Sequence, residues 1–592
     1  MTIPATVHKF GTKATILLTG VFGPYAQDDE YGSRAINPME LYQNQVTRTQ
    51  GIFSLRMFHR TFGLVMLQAN IDAPCTLLDF PSLDDFTREI KRKPYDIVGV
   101  SAIMTNIAKV KTMCALIRKH QPQAVIVIGG HIANVEGLAK TVDADHIVKG
   151  DGIAWFRKYL GQDENAPVRH PVVSSAFGAR IMGINLPNTP SSTAAILIPS
   201  VGCPLGCNFC STSAMFGGKG KFVSFFQTGD ELFSVMCKIE SELRTSSFFV
   251  LDENFLFHRK RALRLLELME LHGKAWSLHV FSSARVIQSY TYEQLTGLGV
   301  SWVWMGLEGE DSRYPKLSAV DTRALVREMQ SHGIRVLGSS IIGLENHTPE
   351  NIEGIIDHAV SHNTDFHQFM LYTPVPGTPL HREHQEKGDL LPEAEFPFAD
   401  SHGQYRFNYR HPSIPAGREE SFLLEAFNRD FLVNGPSLAR LIGTTLQGWR
   451  RYKNHPDPRI RSRFLEYAKE LKIVYAAAVW AMRKWFRNDP HLAAKMNSLL
   501  RGLYQEFGVS TRLAAPVLGR IFIMKMKKEE KRLAQGRAYE PGFFVEKNPA
   551  ALALEQKQAK SPRSVRASVK WVTGGLAPAL AQLGREPLPG EK

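Results

Sequence analysis

Three closely spaced cysteines constrain this chain most strongly. Cys203, Cys207 and Cys210 lie within VGCPLGCNFCST, in a chain with only six cysteines among 592 residues. A loop with this spacing can wrap three thiolates around one face of an iron–sulfur cubane and leave the fourth iron open to a small molecule. A zinc knuckle is a competing interpretation, but structural zinc takes four ligands and no fourth cysteine is near. Core packing is the third interpretation.

The remaining cysteines, Cys75, Cys114 and Cys237, lie in apolar or helical segments, where packing is their expected role. Six cysteines are too few for an extracellular disulfide framework in a chain of this length. The N-terminus lacks the small-residue cleavage site of a secretory signal. The longest apolar run, 473–482, is about half of the ~20 residues that a membrane span requires. We therefore expect a cytoplasmic protein without a membrane span.

Short apolar runs alternate with helical stretches in two series. The runs are rich in Val, Ile and Leu and end at Gly or Pro, as buried parallel strands do. The first series predicts strands at 14–22, 74–80, 96–103, 124–130 and 144–150, with helices at 52–68 and 107–120. The second predicts strands at 194–200, 248–253, 276–284, 301–308, 335–344 and 366–374. The fold class is therefore α/β, a doubly wound domain followed by a (βα)6 partial TIM barrel.

Beyond about residue 396 the strand pattern gives way to helical spacing at 438–452, 461–487 and 491–507. The last residues are rich in Ala, Lys, Gln and Pro, which is typical of disorder. The expected parts are a doubly wound domain at 1–165, a linker at 166–193, the barrel at 194–395, a basic helical domain at 396–545 and a disordered tail at 546–592.

The cysteine loop, with Phe209 before its last cysteine, resembles the radical S-adenosylmethionine superfamily. In that superfamily three cysteines hold a [4Fe–4S] cluster whose open iron binds S-adenosylmethionine, and electron transfer then yields a 5′-deoxyadenosyl radical. Later segments of 194–380 resemble positions where relatives touch the cofactor or shape its pocket. These implied positions are Gly217 and Gly218, Asp252 and Asn254 in VLDENF, Arg285, Gly306 and Glu308 in GLEGE (306–310), and Gly343 in IIGLENHTPENI.

The first domain resembles the cobalamin-binding module that precedes this barrel in a large subgroup. The matching stretches are 95–106, 125–134 and 144–152, and their glycines would let the backbone approach a flat corrin. The implied contacts are Gly99, Ser101, Gly129, Gly130, His131, Gly150, Asp151 and Gly152. The D-x-H-x-x-G signature is missing after the first strand, so we expect no protein histidine below the cobalt. A flavodoxin-like domain without a cofactor is the alternative.

Together the two resemblances imply a cobalamin-dependent radical enzyme, with methyl transfer to an unactivated carbon as the leading function. One S-adenosylmethionine would supply the methyl group through cobalamin, and a second would supply the radical that abstracts hydrogen. Relatives with the same modules also perform oxidative cyclisation, ring contraction or carbon–carbon coupling. A cobalamin-binding sensor without catalysis is the alternative from another class, and the intact cysteine triad counts against it. Methylthiolation needs a second cluster, which Cys75 and Cys114 cannot supply.

The net charge of +14 has one source, because 440–540 holds 22 basic and 8 acidic side chains. Apolar stripes on such helices usually face a core and leave the cations in solvent. The competing hypothesis is contact with an anionic membrane, suggested by Trp480, Trp485 and Phe486 beside basic residues and by VLGRIFIMKMKK (517–528). Trp485, Phe486, Ile521 and Phe522 would supply the inserted apolar side chains. Hopanoid methylases resemble this chain in domain order, which would make the substrate lipid-like. Other expected partners are a small-molecule substrate and an electron donor such as flavodoxin or ferredoxin; without a recognition motif, nucleic acid is not expected.

Overall fold

The computed structural model of this chain describes residues 4, 6–25, 30, 31, 40–187, 193–308, 317, 320–537 and 539–558. Its strands are β1 (Ile16–Thr19), β2 (Arg56–His59), β3 (Cys75–Asp79), β4 (Ile97–Ser101), β5 (Val125–Gly129), β6 (His146–Ile147), β7 (Ala176–Ile181), β8 (Ile184–Asn185), β9 (Ala195–Leu197), β10 (Ser200–Val201), β11 (Val223–Ser224), β12 (Ser247–Val250), β13 (Ser277–Phe281), β14 (Val300–Glu308), β15 (Arg335–Ile342), β16 (Phe366–Leu371) and β17 (Phe544–Lys547).

The α-helices are α1 (Phe62–Ala69), α2 (Leu83–Arg92), α3 (Ile107–His120), α4 (Gly152–Tyr159), α5 (Ser211–Met215), α6 (Gly229–Leu243), α7 (Arg259–Leu271), α8 (Ala284–Ile287), α9 (Tyr292–Leu298), α10 (Thr322–Ser331), α11 (Ile352–Ser361), α12 (Pro379–Lys387), α13 (Glu419–Asn434), α14 (Ser437–Tyr452), α15 (Pro458–Glu470), α16 (Ala476–Trp485), α17 (Pro490–Ala534) and α18 (Pro549–Gln558).

The first sheet contains every strand predicted from the first series. Its order is β17-β3-β1-β4-β5-β6, and the five strands from β3 to β6 run parallel. All residues of β1 and β3 are buried, as expected for strands covered by helices on both faces. The strand order reverses between β1 and β4, and a sheet of this kind binds ligands at that point, beyond the carboxyl ends.

The second sheet contains all six strands of the second series. Its order is β16-β15-β14-β13-β12-β9 and all neighbours run parallel. Helices α6, α7, α9, α10 and α11 lie between successive strands along the chain. The predicted α/β architecture with a six-stranded partial barrel is therefore confirmed.

One predicted helix, at 52–68, is wrong. Residues Gly51–Phe53 form a 3-10 turn, β2 follows, and only Phe62–Ala69 is helical. Strand β2 pairs antiparallel with β7, which pairs with β8. This long-range pairing overrides the local helical spacing. Strands β7 and β8 fall in the expected linker 166–193. That segment therefore adds two strands to a small sheet that it shares with β2.

The C-terminal region is helical, as predicted, and its aromatic residues pack inward. Trp480 is only 9% exposed, and Trp485 and Phe486 pack against the helical core. Phe522 is also buried, at 8%. Three of the four side chains expected to enter a membrane therefore pack in or against the protein core.

Part of the positive charge is also internal. Arg440 forms a buried ion pair with Asp430, with an N–O distance of 2.7 Å, and Arg463 donates to the backbone oxygen of Thr296 at 2.6 Å. Among the described residues one helix, α17, is long and apolar enough to cross a membrane by length and composition alone. This is weak evidence for a span, because a core helix passes the same test.

The expected tail begins too early, because part of it returns to the first sheet. Strand β17 pairs antiparallel with β3, and α18 follows it. Asn548 lies between them: its Oδ1 accepts from Cys75 N at 3.0 Å, and its Nδ2 donates to Ile71 O at 3.2 Å and Ala73 O at 2.9 Å. Residues 559–592 lie outside the described residues.

Replacing Asn548 with Ala should release β17 and α18 from the sheet. The change leaves a buried amide and two buried carbonyls without partners, which costs about 3 kcal/mol. We expect hydrogen exchange of the β17 amides to accelerate on the order of 100-fold, measured by mass spectrometry. The matched control is Gln556→Ala on the exposed face of α18, which should leave the exchange rates unchanged. Equal exchange rates in N548A and the parent chain would contradict the anchoring role.

Candidate active site

The cysteine loop connects β10 to α5, and backbone hydrogen bonds define its shape. The N–H of Cys210 donates to the carbonyl of Cys207 at 3.1 Å. The Sγ of Cys210 accepts from the N–H of Ser213 at 3.5 Å, and the Ser213 hydroxyl donates to the carbonyl of Cys203 at 3.2 Å. The fold therefore brings the three predicted ligands together on one short stretch of backbone.

Glycines allow the loop to fold tightly against the turn that follows α5. Gly206 has a φ of 63°, and a Cβ there would lie 2.4 Å from the Cα of Lys219, so the contact requires glycine. Gly217 and Gly218 have φ values of 104° and 85°, and Gly218 donates to the carbonyl of Ser213 at 2.7 Å. These two predicted cofactor contacts therefore shape the turn that holds the cysteine loop.

The chemistry of the three thiols fits a cluster better than a single ion. Burial, with smaller contributions from the Cys210 and Cys207 thiols, raises the pKa of the Cys203 thiol to about 11, so the three groups lie within electrostatic reach. Within the described residues, no three Cys, His or carboxylate side chains converge on a point that could hold one metal ion. Thiolates on a cubane bind separate irons and need no such convergence. Three thiolates also fall one short of the four ligands that structural zinc takes.

A cavity of about 570 Å³ lies between the first sheet and the cysteine loop. One wall holds all eight residues predicted to contact cobalamin, namely Gly99, Ser101, Gly129, Gly130, His131, Gly150, Asp151 and Gly152. The opposite wall comprises Val201, Thr212, Met215, Phe216, Leu251, Asp252, Glu253 and Phe281. An adjoining cavity of about 350 Å³ reaches the loop after β1 and shares several of these residues.

The first wall fits a flat ring. A Cβ on Gly129 or Gly152 would meet no atom within 4 Å, so both positions open onto free space. A Cβ on Gly130 would lie 2.6 Å from the Ala102 carbonyl, so that turn requires glycine. The Nδ1 of His131 is buried without a hydrogen-bond partner among the described residues, and burial lowers the pKa of its imidazole. A neutral ring nitrogen is therefore available to a bound molecule.

The cavity continues as an apolar slot beside the first sheet. Leu18, Gly99 and Val127, from the middles of β1, β4 and β5, line its inner side. Helices α1 and α4 cover it through Phe62, Leu64, Met66, Leu67, Ile153 and Phe156. A slot of this kind suits an apolar base on a flexible chain, such as the nucleotide tail of cobalamin.

Asp252 and Asn254, two predicted contacts, have structural partners. The Asp252 carboxylate forms a buried ion pair with Arg261, with an N–O distance of 2.6 Å, although the residue borders the cavity. The Oδ1 of Asn254 accepts from the Ser282 hydroxyl at 2.9 Å. Both side chains therefore connect β12 to its neighbours in the barrel.

Glu253, which sequence reasoning missed, faces the cavities instead. It lines both of them, and its Oε2 is buried without a partner among the described residues. Burial raises the pKa of this carboxyl to about 7. Strand alternation does not single out Glu253, because β12 ends at Val250 and both Asp252 and Glu253 line the larger cavity. A carboxylate here suits an ammonium group.

The remaining predicted contacts lie near the carboxyl ends of β13 to β15 and line neither cavity. Arg285 is exposed on α8, Gly306 lies within β14, and Glu308 ends that strand with a φ of 43°. A Cβ on Gly343 would lie 2.2 Å from the Phe407 ring, so the missing side chain makes room for Phe407. The last two residues of GLEGE lie outside the described residues.

The concave face of the barrel is aromatic on one side and polar on the other. The rings of Phe281 and Trp304 stack with centroids 5.1 Å apart. The indole N–H of Trp304 donates to the Ser339 hydroxyl at 2.8 Å, which donates to Gln368 Oε1 at 2.9 Å. Gln368 in turn donates to Gln45 Oε1 at 3.1 Å. Because Phe281 also lines the larger cavity, the barrel interior opens directly into it.

Comparison with known proteins identifies the domain that forms the first wall of the cavity. The B12 binding domain family matches residues 51–159. An uncharacterized methyltransferase of Pyrococcus horikoshii is 24% identical over 50% of this chain and 71% of its own length. The bacteriochlorophyllide d C-12(1)-methyltransferase of Chlorobaculum tepidum is 25% identical over 55% of this chain and 75% of its own length. These similarities support a B12-dependent radical S-adenosylmethionine methyltransferase-like protein.

Other similarities of this methyltransferase-like protein cover different shares of the chain. The hopanoid C-2 methylase of Rhodopseudomonas palustris is 29% identical over 32% of this chain and 38% of its own length. A solved structure of the radical S-adenosylmethionine methyltransferase TsrM from Kitasatospora setae, with cobalamin and a [4Fe–4S] cluster bound, covers 77% of this chain and 99% of its own, with a TM-score of 0.48 and 14% identity.

Replacing Cys203, Cys207 or Cys210 individually with Ala should abolish the cluster of this methyltransferase-like protein. Each change leaves two thiolates where three are needed to hold a cubane with an open iron. Iron content and 5′-deoxyadenosine formation, measured after anaerobic reconstitution, should both fall to background. Cys75→Ala, Cys114→Ala and Cys237→Ala are matched controls and should retain both. A triad variant with full iron content and full cleavage would refute the ligand assignment.

Proposed function

We propose that this protein transfers a methyl group from S-adenosylmethionine to an unactivated carbon of a small-molecule substrate. The observation that carries the proposal is the position of α5, which begins directly after Cys210 and lines the glycine-walled cavity through Thr212 and Met215. The cluster loop and the cobalamin cavity thus share one structural element. Two cofactors held this close can act on one substrate.

Three cofactors follow from the proposal: a [4Fe–4S] cluster on the cysteine loop, S-adenosylmethionine at its open iron, and cobalamin in the cavity. Bound together, they supply a hydrogen-abstracting radical and a transferable methyl group. His131 offers a neutral nitrogen to the cobalamin side of the cavity, and Glu253 offers a carboxylate to the ammonium of S-adenosylmethionine. The apolar lining keeps water and stray hydrogen donors away from the reacting atoms.

The atoms balance with two molecules of S-adenosylmethionine per turnover. One loses its methyl group, which replaces a hydrogen atom on the substrate carbon, and leaves as S-adenosylhomocysteine. The other is cleaved to methionine and 5′-deoxyadenosine, which carries the abstracted hydrogen atom. Two electrons from an external donor, such as flavodoxin or ferredoxin, complete the cycle. The first of these products distinguishes methyl transfer from radical cyclisation, ring contraction or carbon–carbon coupling.

The barrel interior suggests the kind of substrate. The stacked rings of Phe281 and Trp304 offer an apolar surface, and the hydrogen-bonded side chains of Ser339 and Gln368 offer a polar edge beside it. A molecule with a large apolar or planar body and few polar groups suits this interior. We propose that the substrate is such a molecule, lipid-like or aromatic. We also propose that the enzyme contacts an anionic membrane.

Product analysis with S-adenosylmethionine labelled in its methyl group tests the function. The reconstituted protein, with cobalamin, a reductant and an extract of candidate apolar metabolites, should form S-adenosylhomocysteine and 5′-deoxyadenosine, and the label should appear in one metabolite. Cys207→Ala should form no 5′-deoxyadenosine. Formation of 5′-deoxyadenosine with a modified metabolite that carries no label would instead favour cyclisation or coupling. Absence of both products in a protein with full iron and cobalt content would favour the sensor.

A further inference from the structure

Helix α17 has two apolar faces, and only one of them packs against the protein. The inner face holds Thr511, Ala515, Gly519, Phe522 and Met526, all of them buried. The outer face holds Val509, Leu513, Val517, Ile521 and Met524, which are 70%, 69%, 62%, 43% and 64% exposed. These five residues, called the outer stripe below, recur at helical spacings of four and three.

The outer stripe departs from the usual pattern of a surface helix. Such a helix places apolar residues toward the core and polar residues toward solvent. Here large aliphatic side chains stand on the side opposite the core, over about 22 Å of helix. A continuous exposed apolar strip of this length marks an interaction site in a soluble protein.

Basic side chains accompany the outer stripe. Arg512 lies beside it, and Lys527, Lys528 and Lys531 follow its C-terminal end; all four are exposed, and no ion pair involves them within the described part of the chain. Of the two adjacent carboxylates, Glu529 is turned inward and paired with Arg180 at 2.5 Å. The surface therefore combines an apolar strip with a net positive charge.

The inner face holds α17 against the helical core. A Cβ on Gly519 would lie 2.4 Å from the Trp480 ring and 3.1 Å from the Ala477 carbonyl oxygen, so α17 packs tightly on α16 at this point. Gly508 interrupts the helix with a φ of 70°. A helix with one face packed and the other exposed suits a position flat on a membrane, as amphipathic interfacial helices adopt.

We propose that the outer stripe is a docking surface for an anionic lipid membrane. The five aliphatic side chains would enter the boundary between headgroups and acyl chains, and the basic side chains would contact the anionic headgroups. This assignment moves the contact away from Trp485, Phe486 and Phe522, which lie in the core. It deepens the membrane contact of the proposed function but does not depend on catalysis.

The test is co-sedimentation of the reconstituted full-length protein with vesicles. One set contains equal parts of phosphatidylglycerol and phosphatidylcholine, and the other phosphatidylcholine alone, each at low and high salt. We expect binding to the anionic vesicles that weakens with salt. The triple variant Lys527→Gln, Lys528→Gln, Lys531→Gln should lower the partition coefficient on the order of 100-fold. The variant Leu513→Gln, Val517→Gln, Ile521→Gln should abolish binding.

The matched control replaces three exposed lysines of the first domain, Lys91, Lys111 and Lys119, with Gln, and should bind like the parent. Iron content and 5′-deoxyadenosine formation without vesicles should be unchanged in every variant, which separates this proposal from the catalytic one. Equal binding to both vesicle types, or none to either, would overturn it. A stable dimer in solution that the aliphatic variant dissociates would also overturn it, because a second copy would then cover the outer stripe.

Discussion

The site depends on one constraint, namely that the carboxyl ends of two parallel sheets face each other. Parallel strands place all their following loops at one edge of a sheet, and here two such edges bound a single cavity. A hydrogen bond from Asn134 Nδ2 to the Ser211 carbonyl, at 3.1 Å, joins the loop after β5 to the start of α5. His131 and Glu253, far apart in sequence, thereby line the same cavity.

The sequence predicted the strands and one cavity wall because both follow from local patterns. Buried parallel strands are continuous apolar runs, and glycines at their ends mark places where a backbone must approach something closely. The second wall of the cavity was harder to predict from the sequence. Most of VLDENF lies beyond the end of β12 at Val250, where strand alternation no longer tells which side chain faces inward, and both Asp252 and Glu253 line the larger cavity.

The errors in the C-terminal region have a different cause. The pairing of β17 with β3 joins residues more than 450 positions apart, and no local pattern carries that information. Composition also failed to distinguish Trp485, which packs inward, from Val517, which is exposed, since both are apolar residues on basic helices. Only the packing of α16 against α17 shows which face of each helix was already occupied.

The same cofactors support several reactions in related enzymes, so the outcome must depend on how the substrate is held. In this chain the barrel interior is partly closed by a segment of the first domain. Gln45 lies in the π-helix Tyr42–Val46 and is the last member of the hydrogen-bonded row that begins at Trp304. The Tyr42 ring packs on Phe366 with centroids 6.3 Å apart. The cobalamin-binding half thus contributes to the barrel pocket as well as to the cofactor cavity. Because this segment contacts Gln368 and Phe366 of the barrel, its residues help to shape the space in which a substrate would be held.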